Sequence, residues 1–85
     1  MEKAKYQKQF GQRLKRVRVH FGCSQQAFAS RLKTSQPTVV RLEGGTRAVE
    51  GYLIMMVVEQ FGCNVEWLVT GEGGPGLDPG ECGVE

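Results

Sequence analysis

Eighty-five residues are enough for one small domain with a marginal core, and a hydrophobic fraction of 40% beside 24% charged residues is that of an ordinary folded chain rather than a disordered one. The longest apolar run, Tyr52 to Val58, falls far short of the roughly 18–20 residues of a membrane span, and no apolar stretch follows the basic N-terminus as a signal peptide requires. The net charge of +2 is unevenly divided: residues 1–47 hold all eleven Lys and Arg against two Glu, a balance of +9, while residues 48–85 hold seven acids and no cation, −7.

Residues 1 to about 5 are charged and expected to fray. From there Tyr6, Phe10, Leu14, Val17 and Phe21 step by four, four, three and four, which makes one apolar stripe along a first helix over about 6–21. Lys8, Lys15 and Arg16 lie opposite, and Arg13 and Arg18 flank the stripe, so this helix can rest on a core with its cations outward. Gly22 allows the turn into Ser24, a good N-cap for a second helix, 25–32, in which Phe28 and Leu32 share a face. Ser35 caps a third, 36–43, with Val39 and Leu42 inward and Gly44-Gly45 supplying the left-handed residues that end helices. Only Lys33 and Thr34 separate the second helix from the cap of the third, and a turn so short holds two helices at a steep angle. Ala29 is small enough for a close crossing, and the whole is helix-turn-helix geometry.

Thr46 to Val49 reads as a loop. The apolar run from Glu50 to Phe61 exceeds typical strand length and has nothing to pair with, which predicts a helix over 50–61 with Leu53, Val57 and Phe61 inward and Tyr52, Met55 and Met56 left over. Asn64 then caps a last helix, 65–69, anchored by Trp67 and Leu68, with Glu66 at its positive end. From Gly71 to Gly80 there are five glycines and two prolines without apolar periodicity, a composition that cannot repay ordering entropy. The expected architecture is therefore all-α: a five-helix domain over 1–70 and a disordered acidic tail over 71–85.

Cys23, Cys63 and Cys82 form no CxxC or Cys/His cluster, and an odd number completes no disulfide framework. Cys23 and Cys63 read as small apolar residues in a reducing compartment, and Cys82 as exposed on the tail. The chain also lacks a GxSxG elbow, a HExxH pair and a phosphate loop, and its sole histidine, His20, reads as a neighbour of solvent or phosphate rather than a catalyst. Neither an enzyme nor a metal or other cofactor is expected.

For double-stranded DNA the parts fit together. The charge division points the first half at a polyanion and keeps the acidic half away from it, the plain alternative being a solvated basic face. The outward side of the third helix holds Gln36, Pro37, Val40 and Arg41. Arg41 can pair bidentately with guanine O6 and N7, Gln36 with adenine N6 and N7, and Pro37 and Val40 can pack on thymine methyls. At roughly 1–3 kcal/mol of discrimination per bidentate pair, such a face reads a short half-site, and a monomer would be weakly specific.

The stretch from Phe10 to Gly73, through Arg-Leu-x-x-Val-Arg, Gly-Cys-Ser-Gln, Ala29, Leu42-Glu43 before Gly45 and Glu66-Trp67-Leu68 with Thr70-Gly71, resembles the phage-repressor-like, XRE-type helix-turn-helix proteins, the family of the lambda repressor and Cro. The resemblance implies a five-helix lambda-repressor-like fold in which helix 25–32 crosses the DNA backbone and helix 36–43 enters the major groove, in a bacterial or phage-encoded cytoplasmic transcriptional regulator, a repressor. It makes Gln25 look like a phosphate contact and Gln36 its base-reading counterpart. Arg18 and Glu43 look like a partly buried ion pair, or, on the plain reading, independent surface charges. Ser24, Gly45 through its amide, Thr46 and Arg47 look like backbone contacts, joined by Arg18 and Thr38. Lys33 replaces the usual turn glycine, at a cost of about 1 kcal/mol for a left-handed residue, and would lie close to phosphate. Pro37 stands where many relatives carry a polar base reader.

The resemblance also implies a two-fold homodimer on half-sites roughly 34–36 Å apart. Tyr52, Met55, Met56, Val65 and Val69 are the expected dimer contact, unless they simply complete the core. The alternative function is an antitoxin-type protein-interaction module on the same fold, its acidic tail folding on a basic partner. A redox role for Cys82 is a third reading.

Overall fold

The computed structural model describes residues 2–82, and among them all regular secondary structure is helical: α1 (Lys3–His20), α2 (Gln25–Leu32), α3 (Gln36–Gly44), α4 (Gly51–Phe61) and α5 (Val65–Thr70). None of these is long and apolar enough to cross a membrane. The first helix begins earlier than its apolar stripe, with the Tyr6 amide already donating to the Glu2 carbonyl at 3.0 Å. Apolar periodicity cannot register a polar first turn, and Lys3, Ala4 and Lys5 are good helix formers. The expected fraying therefore does not extend to Lys3; residue 1 lies outside the described residues.

One core is shared by all five helices: Phe10, Leu14 and Val17 from α1, Phe28, Ala29 and Leu32 from α2, Val39 and Leu42 from α3, Leu53, Val57 and Phe61 from α4, and Trp67 and Leu68 from α5. Helix α1 packs on α3 and α5, α2 on α3 and α4, and α4 on α5. Helix α1 comes very close to the end of α3. A Cβ on Gly11 would lie 2.7 Å from the Glu43 carbonyl oxygen and inside that of Leu42, so only glycine lets the two backbones meet there. Gly45, left-handed at φ 76°, meets Lys8 of the same helix in the same way, with a Cβ falling 2.6 Å from the Lys8 Cα.

The tail departs from expectation. Residues 71–82 form no helix or strand, yet they lie against the body instead of standing free. The Asn64 amide donates to the Pro75 carbonyl at 2.8 Å and its side chain to Gly74 at 3.1 Å. His20 Nε2 donates to the Asp78 carbonyl at 3.0 Å, and Leu77 packs on the core. Cys82 is buried and disulfide-bonded to Cys23 across a sequence separation of 59, with Cα atoms 5.2 Å apart. A cross-link closing a loop of that length stabilises by about 4 kcal/mol in the chain-entropy account. The expectation of an exposed Cys82 and an unpaired Cys23 is thus corrected, because spacing along the chain does not reveal which cysteines meet. Cys63 is the one free cysteine among the described residues, buried, with desolvation pushing its thiol pKa up. Residues 83–85 of the expected tail lie outside the described residues.

Gly11→Ala should destabilise the fold by about 1–3 kcal/mol, the usual cost of overpacking, despite the better helix propensity of alanine. Urea denaturation of the two proteins checks this, and an unchanged or higher midpoint would mean that α1 and α3 do not approach so closely.

Candidate nucleic-acid interface

Helices α2 and α3 are built from their caps inward. Ser24 Oγ accepts from the Ala27 amide at 3.0 Å and opens α2. Lys33 closes it in the left-handed conformation (φ 57°, ψ 44°), the single non-glycine residue at positive φ among the described residues, while the Thr34 amide returns to the Ala29 carbonyl at 2.9 Å. Ser35 Oγ accepts from the Thr38 amide at 3.3 Å and opens α3, and Pro37 occupies the first turn, where no helical hydrogen bond is lost.

With Val39 and Leu42 fully buried beneath it, α3 presents Gln36, Pro37, Val40 and Arg41 to solvent on a single face. Neither Gln36 nor Arg41 is held by a side-chain partner among the described residues, so both remain available to a ligand.

Behind this face lies an ion pair. Arg18 of α1 donates through Nε to Glu43 Oε2 at 2.6 Å and through Nη2 to Oε1 at 3.2 Å, and its Nη1 reaches the Cys23 carbonyl at 2.9 Å. Gln25 Nε2 adds a contact to Glu43 Oε1 at 3.3 Å. The two charged side chains are only 14% and 6% exposed, and removing one partner of a buried pair costs on the order of 3–5 kcal/mol by leaving the other charge uncompensated.

Several residues expected at the DNA backbone are already occupied. Arg18 has every guanidinium nitrogen bonded internally, which removes it from the phosphate set. Thr38 is buried at 8% exposure, with its hydroxyl 2.8 Å from Ser35 Oγ. The Gly45 amide is turned back onto the Arg41 and Leu42 carbonyls by the left-handed cap. Arg47 pairs with Glu50 at 2.8 Å. Ser24, Gln25, Lys33 and Thr46 stay at or near the surface around α2 and the end of α3.

The cation count shrinks accordingly. Arg13 donates to the Leu68 and Val69 carbonyls at 2.9 and 3.1 Å, and Arg31 to the Gln60 carbonyl at 2.8 Å and to that of Cys82. Both arginines serve helix ends. Lys3, Lys5, Lys8, Lys15, Arg16, Lys33 and Arg41 are the exposed cations among the described residues.

On the far side, Met55 and Val65 are exposed at 67% and 50% and line one shallow apolar groove with Ile54, Val58 and Glu59. Met56 is half-buried against the core, Val69 is half-buried, and Tyr52 points its hydroxyl back to the Leu32 and Lys33 carbonyls at 3.4 Å each. Of the five expected contact residues, Met55 and Val65 line this groove. Ile54 and Val58 escaped sequence reasoning, though their i, i+4 spacing beside Met55 was a readable second stripe on α4. Gly11 escaped it too; a glycine inside a strong helical pattern is the signal of a close packing contact.

The Helix-turn-helix family profile matches residues 14–68. A propionyl-CoA carboxylase regulator from Cereibacter sphaeroides is 34% identical over 62 residues, which are 73% of this chain and 13% of that protein, so the chain spans only a small part of that relative's length. The restriction-modification controller protein C.AhdI from Aeromonas hydrophila superposes with a TM-score of 0.68 at 27% identity, covering 73% of this chain and 94% of the controller. The clp gene regulator ClgR from C. glutamicum gives a TM-score of 0.68 at 22% identity, over 74% of this chain and 82% of that one, a likeness of fold alone. Caps, turn and buried ion pair join one open helix face to this kinship, and the chain belongs to the XRE-type helix-turn-helix family of DNA-binding transcriptional regulators.

Proposed function

We propose that this chain binds double-stranded DNA as a homodimer in the cytoplasm of a bacterium, with α3 in the major groove, and represses transcription by occupying its site. The observation that carries the reading is the face of α3: Gln36, Pro37, Val40 and Arg41 are all exposed while the opposite side of the same helix is sealed in the core. Gln36 and Arg41 supply the hydrogen bonds to base edges and Pro37 and Val40 the apolar contacts. Helix α2 crosses the backbone, with Ser24 and Gln25 at its N-terminus, Lys33 beyond its C-terminus and Thr46 past α3 as the phosphate contacts. Arg18 and Glu43 hold that arrangement from behind without touching DNA. The relatives support regulation as the class of function: one is a carboxylase regulator and another a restriction-modification controller.

For the dimer, the groove of Ile54, Met55, Val58 and Val65 is the favoured contact, because it brings the exposed Met55 of α4 and Val65 of α5 together beside the half-buried Ile54 and Val58. Tyr52 and Met56 then act within the protomer.

Selection of bound sites from random duplex DNA should recover a short two-fold sequence. The double change Gln36→Ala with Arg41→Ala should remove that preference, at roughly 1–3 kcal/mol for each lost pair, while helicity by circular dichroism stays unchanged. Specific binding that survived the double change would put α3 outside the groove. Lys33→Gly should raise stability by up to about 1 kcal/mol through relief of the left-handed turn and yet weaken DNA binding evenly across sequences, lowering the salt slope by about one. Met55→Glu should shift sedimentation from dimer to monomer without unfolding; a dimer that persisted would place the interface elsewhere.

A further inference from the structure

Cys82 is joined to both ends of one short helix. Its sulfur is bonded to Cys23, which immediately precedes the α2 cap Ser24, and its carbonyl accepts from Arg31 in the last turn of α2. Cys23 in turn is gripped by Arg18: its amide donates to the Arg18 carbonyl at 3.1 Å, and its carbonyl accepts from Arg18 Nη1 at 2.9 Å. That same guanidinium holds Glu43 at the end of α3, and Glu43 accepts from Gln25 at the start of α2. An unbroken run of direct bonds thus leads from the tail to both helices of the reading head.

We infer that the Cys23–Cys82 bridge is a redox latch on the helix-turn-helix: closed, it fixes α2 and the ion pair behind α3, and opened by a dithiol, it loosens the tail beside α1 and α2 and weakens DNA binding. The effect on DNA rests on the proposed function; the effect on α2 does not. The chemistry balances as thiol–disulfide exchange. One thiolate of the dithiol attacks a bridge sulfur to give a mixed disulfide, and its second thiolate displaces that sulfur. Two electrons pass to the bridge, the dithiol closes into its own disulfide, and Cys23 and Cys82 leave as thiols carrying the two protons. A disulfide oxidant of the same class reverses the step. In a reducing compartment such a pair reports on oxidation instead of serving as a permanent staple.

Without the bridge, the tail keeps the Asn64 contacts to Gly74 and Pro75, which hold its start at α5, while among the described residues its later part keeps the packing of Leu77 and the hydrogen bonds of His20 and Arg31. Opening therefore loosens residues next to α1 and α2 rather than releasing the whole tail.

The test compares air-equilibrated and dithiothreitol-treated protein. Thiol titration in guanidinium should count one thiol, Cys63, before reduction and all three cysteines after it. Reduction should speed hydrogen exchange at the α2 amides and lower affinity for a short random-sequence duplex at low salt by at least roughly fivefold, the lower end of typical coupling between linked sites. Cys82→Ala should match the reduced protein and ignore the reductant; if that variant fails to fold, the reduced wild type decides alone. Three thiols in the air-equilibrated protein, or α2 exchange identical in the two states, would overturn the latch. Binding of no duplex in either state, with α2 exchange still redox-dependent, would instead refute the DNA reading and leave the latch standing.

Discussion

Arg18 spans from the first helix to Glu43 at the end of the third and fixes the α1–α2 corner through the Cys23 carbonyl, while Glu43 accepts from Gln25 at the start of α2. Two charges so little exposed need hydrogen bonds as well as each other, and here each of the three guanidinium nitrogens donates within the protein. The contact is possible because Gly11, seven residues before Arg18 on α1, brings the backbones of α1 and α3 together; with a side chain at that position the carbonyls of Leu42 and Glu43 would be pushed off and the pair opened. This small buried assembly ties α1, the start of α2 and the end of α3 together behind the face that carries Gln36 and Arg41.

The division of charge along the chain has a second meaning that composition does not disclose. Neither α4 nor α5 carries a basic residue in its last turn, and the C-terminal half has none to offer. Their exposed carbonyl ends are served from the N-terminal half, α4 by Arg31 and α5 by Arg13. Cations near a helix C-terminus are favourable both as hydrogen-bond donors and toward the dipole. Part of an asymmetry that reads as attraction to a polyanion is therefore complementarity between the halves of one domain. The aromatic contacts agree, with Arg31 over the Phe61 ring at 4.6 Å and Arg16 over Trp67 at 5.6 Å.

The tail shows where averaging over composition loses information. Its glycines and prolines bring little to a core, and a window of ten residues dilutes the two that do, Leu77 and Cys82. A cross-link acts differently from packing: it reduces the entropy of the unfolded chain and so does not need a dense set of contacts to hold a segment in place. The acidic tail, expected to be free for a protein partner, is laid on the molecule's own helices at His20, Arg31 and Asn64.

The amino-acid sequence alone determined the local structure: the stripe from Phe10 to Val17, the Ser24, Ser35 and Asn64 caps, the left-handed turn at Lys33 and the outward set Gln36, Pro37, Val40 and Arg41. These follow from helical period and capping chemistry, which act over a few neighbouring residues. Only the tertiary structure decided which cations are spent inside the fold, that Thr38 and the Gly45 amide face inward, that Gly11 is a point of contact, and that Cys23 meets Cys82. Each of these depends on the relative placement of segments far apart in the chain, and neither residue type nor spacing encodes a distance between them.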